Sequence, residues 1–253
     1  MDYSKLKSHW EETAKKQSEL KKSLTHSDQY LPFLESEAIL SNLKETDEIL
    51  EIGCGACDNS LPYIKKCKSY IGVDVIDTFV DLAKKKISDN KLNNATVINT
   101  DGLEYIQEND ILQNVLITQR FIINLKKEAQ LLFFKELRKK KSKLTRIIIC
   151  EGFNEELLEL NRLRKIAGLD EIKVAEYNNF LDKHFIDELL KLGYKIVKEI
   201  NFNIYFFITR IFNNKSFVFS TEDIPPVAYE FEKMKLFTFD NNISYSKILI
   251  LEL

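Results

Sequence analysis

The stretch Ile49-Leu50-Glu51-Ile52-Gly53-Cys54-Gly55-Ala56-Cys57-Asp58 constrains the fold more than any other part of this chain. An apolar run feeds an acid and then a tight Gly-x-Gly turn, after which Leu61-Pro62-Tyr63-Ile64 resumes helical spacing. Such a strand, turn and helix open a nucleotide-type α/β unit, because glycine lets the backbone pass close to a bound ligand. A second acid, Asp74, ends the next apolar run, Tyr70-Ile71-Gly72-Val73, and follows Gly53 by 21 residues. That is close to the spacing at which a carboxylate meets ribose hydroxyls in such folds.

The two acids place an adenosine-bearing cofactor on the chain, and charge indicates which kind. Dinucleotide sites put a third glycine beside the pyrophosphate at the helix N-terminus. Here that position is Asp58, a negative charge where two phosphates would sit. A carboxylate there, with Glu51 two residues before the first glycine, favours a ligand that lacks phosphate and carries positive charge. S-adenosylmethionine, with an ammonium and a sulfonium, is such a ligand. Asp58 and Asn59 also have a plainer reading as caps of the following helix.

These motifs resemble those of the class I S-adenosylmethionine-dependent methyltransferases, whose first motif is Glu/Asp-x-Gly-x-Gly-x-Gly; Cys57 replaces the last glycine. The resemblance continues in order over some 100 residues. It implies that Asp74 and Val75 border the ribose, that Asp101-Gly102 meet the adenine, and that Asn114 to Arg120 form the fourth strand and the loop facing the methyl group. Arg146 to Glu151 reads as the fifth strand. The implied fold class is α/β, a Rossmann-like seven-stranded sheet, mostly parallel, with an N-terminal helical lid and an inserted cap. The implied cofactor set is Trp10, Asp28, Glu51, Gly53, Gly55, Asp58, Asp74, Val75, Asp101, Gly102 and Gln119. Asp28 alternatively caps the second helix.

Strand and helix alternate through the core, with strands expected near 48–52, 70–74, 95–98, 114–118 and 145–150. Helices are expected at 2–22, near 30–43, at 130–140, and at 155–168 and 180–193, the last two stopped by glycine. Strand-like 194–202 precedes the aromatic run Asn203 to Phe207, and 245–251 reads as a closing strand. Length and 44% hydrophobic content fit one domain over 1–253. Its parts are a helical lid (1–43), a cofactor-binding half (44–153) and an acceptor-facing half (154–253), with inserts at 154–180 and 203–243 covering the cofactor.

Methyl transfer from a sulfonium is a one-step displacement, so alignment and electrostatics suffice without a metal or covalent nucleophile. The chain resembles a subgroup of bacterial small-molecule methyltransferases of surface-polysaccharide precursor pathways, and also phosphoethanolamine N-methyltransferases. That resemblance implies a small polar, phosphorylated acceptor, with O-methylation of a sugar or sugar nucleotide as the alternative. Arg120, Arg164 and Arg210 are candidates to fork onto phosphate, with Tyr177 and Tyr205 beside them. Tyr3, His9 and His26 are candidates to hold or take the acceptor proton, with Gln119 and Arg120 facing the reaction. A nicotinamide-dependent oxidoreductase or a non-catalytic cofactor binder shares the same opening motif.

Charge bounds the partners. Lys plus Arg number 37 and Asp plus Glu 39, for a net charge of −2. With no basic excess, and with Lys84 to Lys86 and Arg138 to Lys141 read as solvated helix ends, a small-molecule acceptor is expected and nucleic acid is not. The polar start Met1 to Leu6 and the absence of an apolar run of ~18 residues predict no membrane span and a cytoplasmic chain. Four cysteines fit a reducing compartment, and the Cys54-Cys57 pair falls inside the glycine turn rather than in a metal site.

Overall fold

The computed structural model describes residues 3–20, 23–24, 28, 30–140, 142–212, 224–235 and 238–253, the side chain of Tyr3 excepted. Seven strands form one sheet in the order β3-β2-β1-β4-β5-β7-β6. They are β1 (Glu48–Ile52), β2 (Ser69–Asp74), β3 (Ala95–Asn99), β4 (Val115–Gln119), β5 (Arg146–Gly152), β6 (Lys195–Asn201) and β7 (Ser246–Glu252). The first five strands pair in parallel, and β7 enters antiparallel between β5 and β6. This is the seven-stranded, Rossmann-like methyltransferase fold.

The helices are α1 (Tyr3–Leu20), α2 (Leu31–Leu40), α3 (Leu61–Ile64), α4 (Asp77–Asp89), α5 (Gly102–Glu108), α6 (Lys127–Lys139), α7 (Asn154–Ile166), α8 (Lys183–Lys191), α9 (Asn203–Phe207) and α10 (Ile224–Met234). The central strands are continuous apolar runs because both sheet faces are covered. Ile49, Val115 and Ile117 pack on one side with Tyr63, Tyr70 and Phe206; Leu50, Ile52 and Leu116 pack on the other with Phe133, Phe134 and Tyr194. The edge strand β6 is largely exposed and carries Lys195, Lys198 and Glu199, charges that discourage further strand pairing.

Differences from expectation are local. The helix expected from 180 starts at Lys183, where the Asp182 side chain accepts the Phe185 N–H at 2.9 Å. The aromatic run after β6 folds into α9 and then a π turn at Ile208–Phe212, burying Ile204, Tyr205 and Phe206. The helix after the glycine turn is only the four residues of α3. Glycine stops the two later helices as expected, with Gly168 at φ +69° and Gly193 at φ +87°.

The chain winds outward through β1, β2 and β3, then returns to place β4 on the other side of β1. The connections after β1 and β4 therefore diverge, opening a crevice at the carboxyl ends of the two central strands. Helix α1 packs beside this crevice. Its Ala14 is buried against Ala56, Ile76 and Phe79, with Trp10 and Val75 alongside.

Candidate active site

The crevice is a pocket of about 610 Å³ bordered by the carboxyl ends of β1, β2, β4 and β5, by α1 and by residues 172–178. The glycine turn forms its floor. Gly53 lies at φ +77°, and a Cβ there would stand 2.7 Å from the Phe121 Cβ. A Cβ on Gly102 would meet Ile52 at 2.4 Å and Phe121 at 2.8 Å, so one phenyl ring requires both glycines. Gly55, at φ +52°, has nothing within 4 Å of such a Cβ and opens into the pocket.

Asp74 ends β2 in the lining. One carboxylate oxygen accepts the Gly55 N–H at 2.8 Å and the other the Ile76 N–H at 2.9 Å. A carboxylate has roughly four lone-pair positions, so two backbone bonds leave acceptor capacity toward the pocket. Burial raises its pKa, and those backbone bonds oppose the rise. Glu51 is buried beneath the turn, where the Tyr63 and Tyr70 hydroxyls donate to it at 2.8 and 2.7 Å. Burial pushes its pKa up to about 7. Asp101 lines the pocket and caps α5, accepting the Leu103 and Glu104 N–H groups at 2.9 and 3.1 Å. Val75, Gly102, Trp10 and Gln119 also line it.

Asp58 lines the pocket as expected. It is not a bare charge: Lys86 forms an ion pair with it, and the Gln17 amide donates to it at 2.6 Å. Nor does it cap α3, whose N-cap position is Ser60. Asp58 instead ties α1 and α4 to the glycine turn. Gln17 continues the α1 stripe of Trp10 and Thr13, a periodicity that marks it in the sequence.

The loop after β4 is set by a second buried acid. Glu151 accepts the N–H groups of Phe121, Ile122 and Ile123 at 3.1, 3.0 and 3.3 Å, and burial pushes its pKa up to about 7. Arg120, in the left-handed region at φ +54°, lines the pocket and is ion-paired with Glu35. It is therefore not a free guanidinium, as the phosphate fork required.

The other expected acceptor groups separate. Tyr177 lines the pocket, its ring 4.8 Å from His9 and 5.9 Å from Trp10, so α1 and the segment after α7 meet there. Asp28, Arg164, Tyr205 and Arg210 are not among the lining residues. Asp28 takes the Tyr205 hydroxyl and the Arg210 guanidinium, each at 2.6 Å, and accepts the Tyr30 and Leu31 N–H groups at the start of α2. Burial would raise its pKa, but the Arg210 charge and the Tyr205 bond hold it below the usual carboxylate range. Arg164 donates to the backbone carbonyls of Asp170, at 2.7 Å, and Arg210. Among the described residues of 203–243, none lines the pocket, contrary to the expected second cover. The Tyr3 side chain and His26 lie outside the described residues.

Glu35, Phe180 and Tyr245 were not among the expected site residues. Phe180 stacks on Tyr245 at 5.8 Å, and both line the pocket end that also holds Asn124, Asn178 and Ser246. Only Glu35 carried a signal, an acid inside the apolar helix Leu31–Leu40. All four cysteines are buried free thiols. Among the described residues, no helix is long and apolar enough to cross a membrane.

Residues 49–140 match the family model described as a methyltransferase domain. A 67-residue stretch is 33% identical to a 23S rRNA (uracil(1939)-C(5))-methyltransferase of Aliivibrio fischeri, covering 26% of this chain and 15% of that protein. A 64-residue stretch is 34% identical to a probable ribosomal RNA small subunit methyltransferase A of Methanosphaera stadtmanae, covering 25% of this chain and 24% of that one. The matched segments thus span under a quarter of either curated relative. Among solved structures, the magnesium protoporphyrin IX methyltransferase of Synechocystis PCC 6803, with bound SAH, superposes with a TM-score of 0.55 at 14% identity. The alignment covers 87% of this chain and 82% of that one.

The two ribosomal relatives overturn the exclusion of nucleic acid. A net charge summed over the chain does not report the charge of one face, and an enzyme that acts on a single extruded base needs only a local contact. The match to a methyltransferase-domain model covers the first four strands, and the order of the whole sheet is that of the seven-stranded, Rossmann-like class.

Proposed function

We propose that the protein transfers a methyl group from S-adenosylmethionine to a polar acceptor held at the aromatic end of the same pocket. One observation carries this reading: the open Gly55 turn, Asp74 and Asp101 share a single cavity with buried Glu51 beneath it. Such a lining offers carboxylates to hydroxyl, amino and ammonium groups and sets an acid, Asp58, where a dinucleotide site has its third glycine. In this reading Asp74 and Val75 border the ribose, Asp101 and Gly102 the adenine, Gly53 and Gly55 the close backbone approach, and Glu51 the cationic end. Trp10 and Gln119 complete the cofactor wall.

When bound, S-adenosylmethionine supplies an electrophilic methyl group on a sulfonium, which leaves as the neutral thioether. The chain's own contribution is alignment and exclusion of water. Glu151 fixes the loop after β4 through its three backbone bonds, and α1 closes one side through Trp10 and His9. In this reading His9, which lines the pocket beside Tyr177, takes the acceptor proton.

For the acceptor, the expected phosphorylated amine finds little support. Of the three arginines assigned to its phosphate, only Arg120 reaches the pocket, and it is paired with Glu35. Beyond Arg120 the lining includes Asn124, Tyr177, Asn178, Phe180, Tyr245 and Ser246, together with the cation Lys173. Amides and aromatic faces of this kind suit a flat or hydroxyl-bearing acceptor group. Calorimetry against S-adenosylmethionine and NAD tests the cofactor: binding of the first alone is expected, and preference for NAD would overturn the reading. Transfer of labelled methyl to phosphoethanolamine, sugar nucleotides, ribosomal RNA and a cell extract, followed by mass spectrometry, then identifies the acceptor.

A further inference from the structure

Three pocket-lining side chains converge on one carboxylate that lies behind the wall. Glu35 of α2 is fully buried and is not part of the lining. The Gln119 amide donates to its Oε2 at 2.9 Å, Arg120 forms an ion pair with the same oxygen, and the Ser246 hydroxyl donates to Oε1 at 2.6 Å. Gln119 and Arg120 come from the end of β4 and Ser246 from the start of β7, so one acid joins two strands that are not neighbours in the sheet. The backbone around Arg120 is held as well: its N–H donates to the Cys150 carbonyl at 2.9 Å, and its carbonyl accepts the Asn124 amide at 2.5 Å. The guanidinium is thus fixed at the pocket wall beside a buried counter-charge.

We propose that Glu35 is a positioning residue of this pocket, which orients Gln119, Arg120 and Ser246 and cancels the Arg120 charge so that the cavity accepts a sulfonium. This rests on the reading of the cavity as an S-adenosylmethionine site. An unpaired guanidinium in the wall would repel a cationic ligand, whereas the neutral thioether product would be indifferent to it. Removing the Arg120 charge alone would leave the Glu35 carboxylate uncompensated and act in the opposite sense. One unpaired charge in a partly desolvated cavity changes affinity for a cation by roughly tenfold.

The test is calorimetric titration of wild type, Glu35→Gln, Arg120→Gln and the double variant with S-adenosylmethionine and S-adenosylhomocysteine. The readout is the ratio of the two affinities, which a purely structural role would leave unchanged. Glu35→Gln is expected to shift this ratio toward S-adenosylhomocysteine by roughly tenfold. Arg120→Gln is expected to shift it toward S-adenosylmethionine, and the double variant to restore it. Unchanged ratios in both single variants, or shifts in the same direction, overturn the proposal while leaving the cofactor assignment intact. A wild type that binds neither ligand overturns the cofactor assignment itself. Should Glu35→Gln fail to fold by circular dichroism, the sign of the Arg120→Gln shift decides alone.

Discussion

At the ends of β1 and β2 the chain sets Asp74 and the open Gly55 on the pocket, whereas beyond β5 Arg164, Tyr205 and Arg210 turn to partners away from it. Asp74 accepts backbone N–H groups with both oxygens and lines the cavity, while Gly55 is open. Arg164, Tyr205 and Arg210 instead satisfy Asp28 and two backbone carbonyls away from the lining. The difference teaches that a residue type becomes functional only when its partners leave something over. In the first region the groups that line the cavity sit at the ends of neighbouring strands, where the backbone places them. In the second, long side chains from distant segments can reach several neighbours, and burial selects the pairing that neutralises charge.

The contrast can be broken most forcefully at the glycines. Gly53→Ala meets both a left-handed backbone and the Phe121 ring, and is expected to lose ~3 kcal/mol of stability. Gly55→Ala, with open space around its Cβ, should cost only ~1 kcal/mol of backbone strain. Denaturant melts of both variants check this, and equal losses would remove the steric argument.

Arg210→Ala leaves Asp28 buried without its cation and should destabilise by about 3 kcal/mol while S-adenosylhomocysteine affinity stays unchanged. A large loss of affinity in a folded variant would place Arg210 in the site after all. Asp74→Ala is predicted to do the reverse, weakening S-adenosylhomocysteine binding by about 2 kcal/mol through lost hydrogen bonds. Unchanged calorimetric affinity would end its ribose role.

The smallest effect concerns pH. The fold raises the Glu51 pKa from the ordinary 4.5 to about 7, so its contribution to stability is complete below pH 4.5 and is lost as pH climbs through 7. Stability is expected to fall by about 1 kcal/mol between pH 6 and 8 on this account, and Glu51→Gln to flatten that share of the profile. An identical slope in the variant would show that Glu51 is already ionised in the fold.

How much was legible depended on distance along the chain. The first five strands, the glycine turn, Asp74 and Asp101 are local patterns: a period of two or an unbroken apolar run, then a turn residue. Their geometry follows from a few adjacent residues and from the rule that parallel strands direct ligands to their carboxyl ends. The α9 helix was not legible, because five residues rich in aromatics satisfy strand and helix equally until burial against α10 and the sheet decides.

By itself, the sequence determined the fold class and the glycine turn at the end of β1, since these depend on periodicity and on backbone freedom at glycine. Only the tertiary structure decided the rest. It placed Phe121 over two glycines, turned Asp58 into a tie between helices, and committed Arg210 to Asp28. It also set Glu35 behind Gln119, Arg120 and Ser246. The physical reason is that hydrogen bonds and ion pairs act over a few ångströms, so the partners a charged side chain meets are chosen by packing, at separations of tens to hundreds of residues where no local pattern reports them.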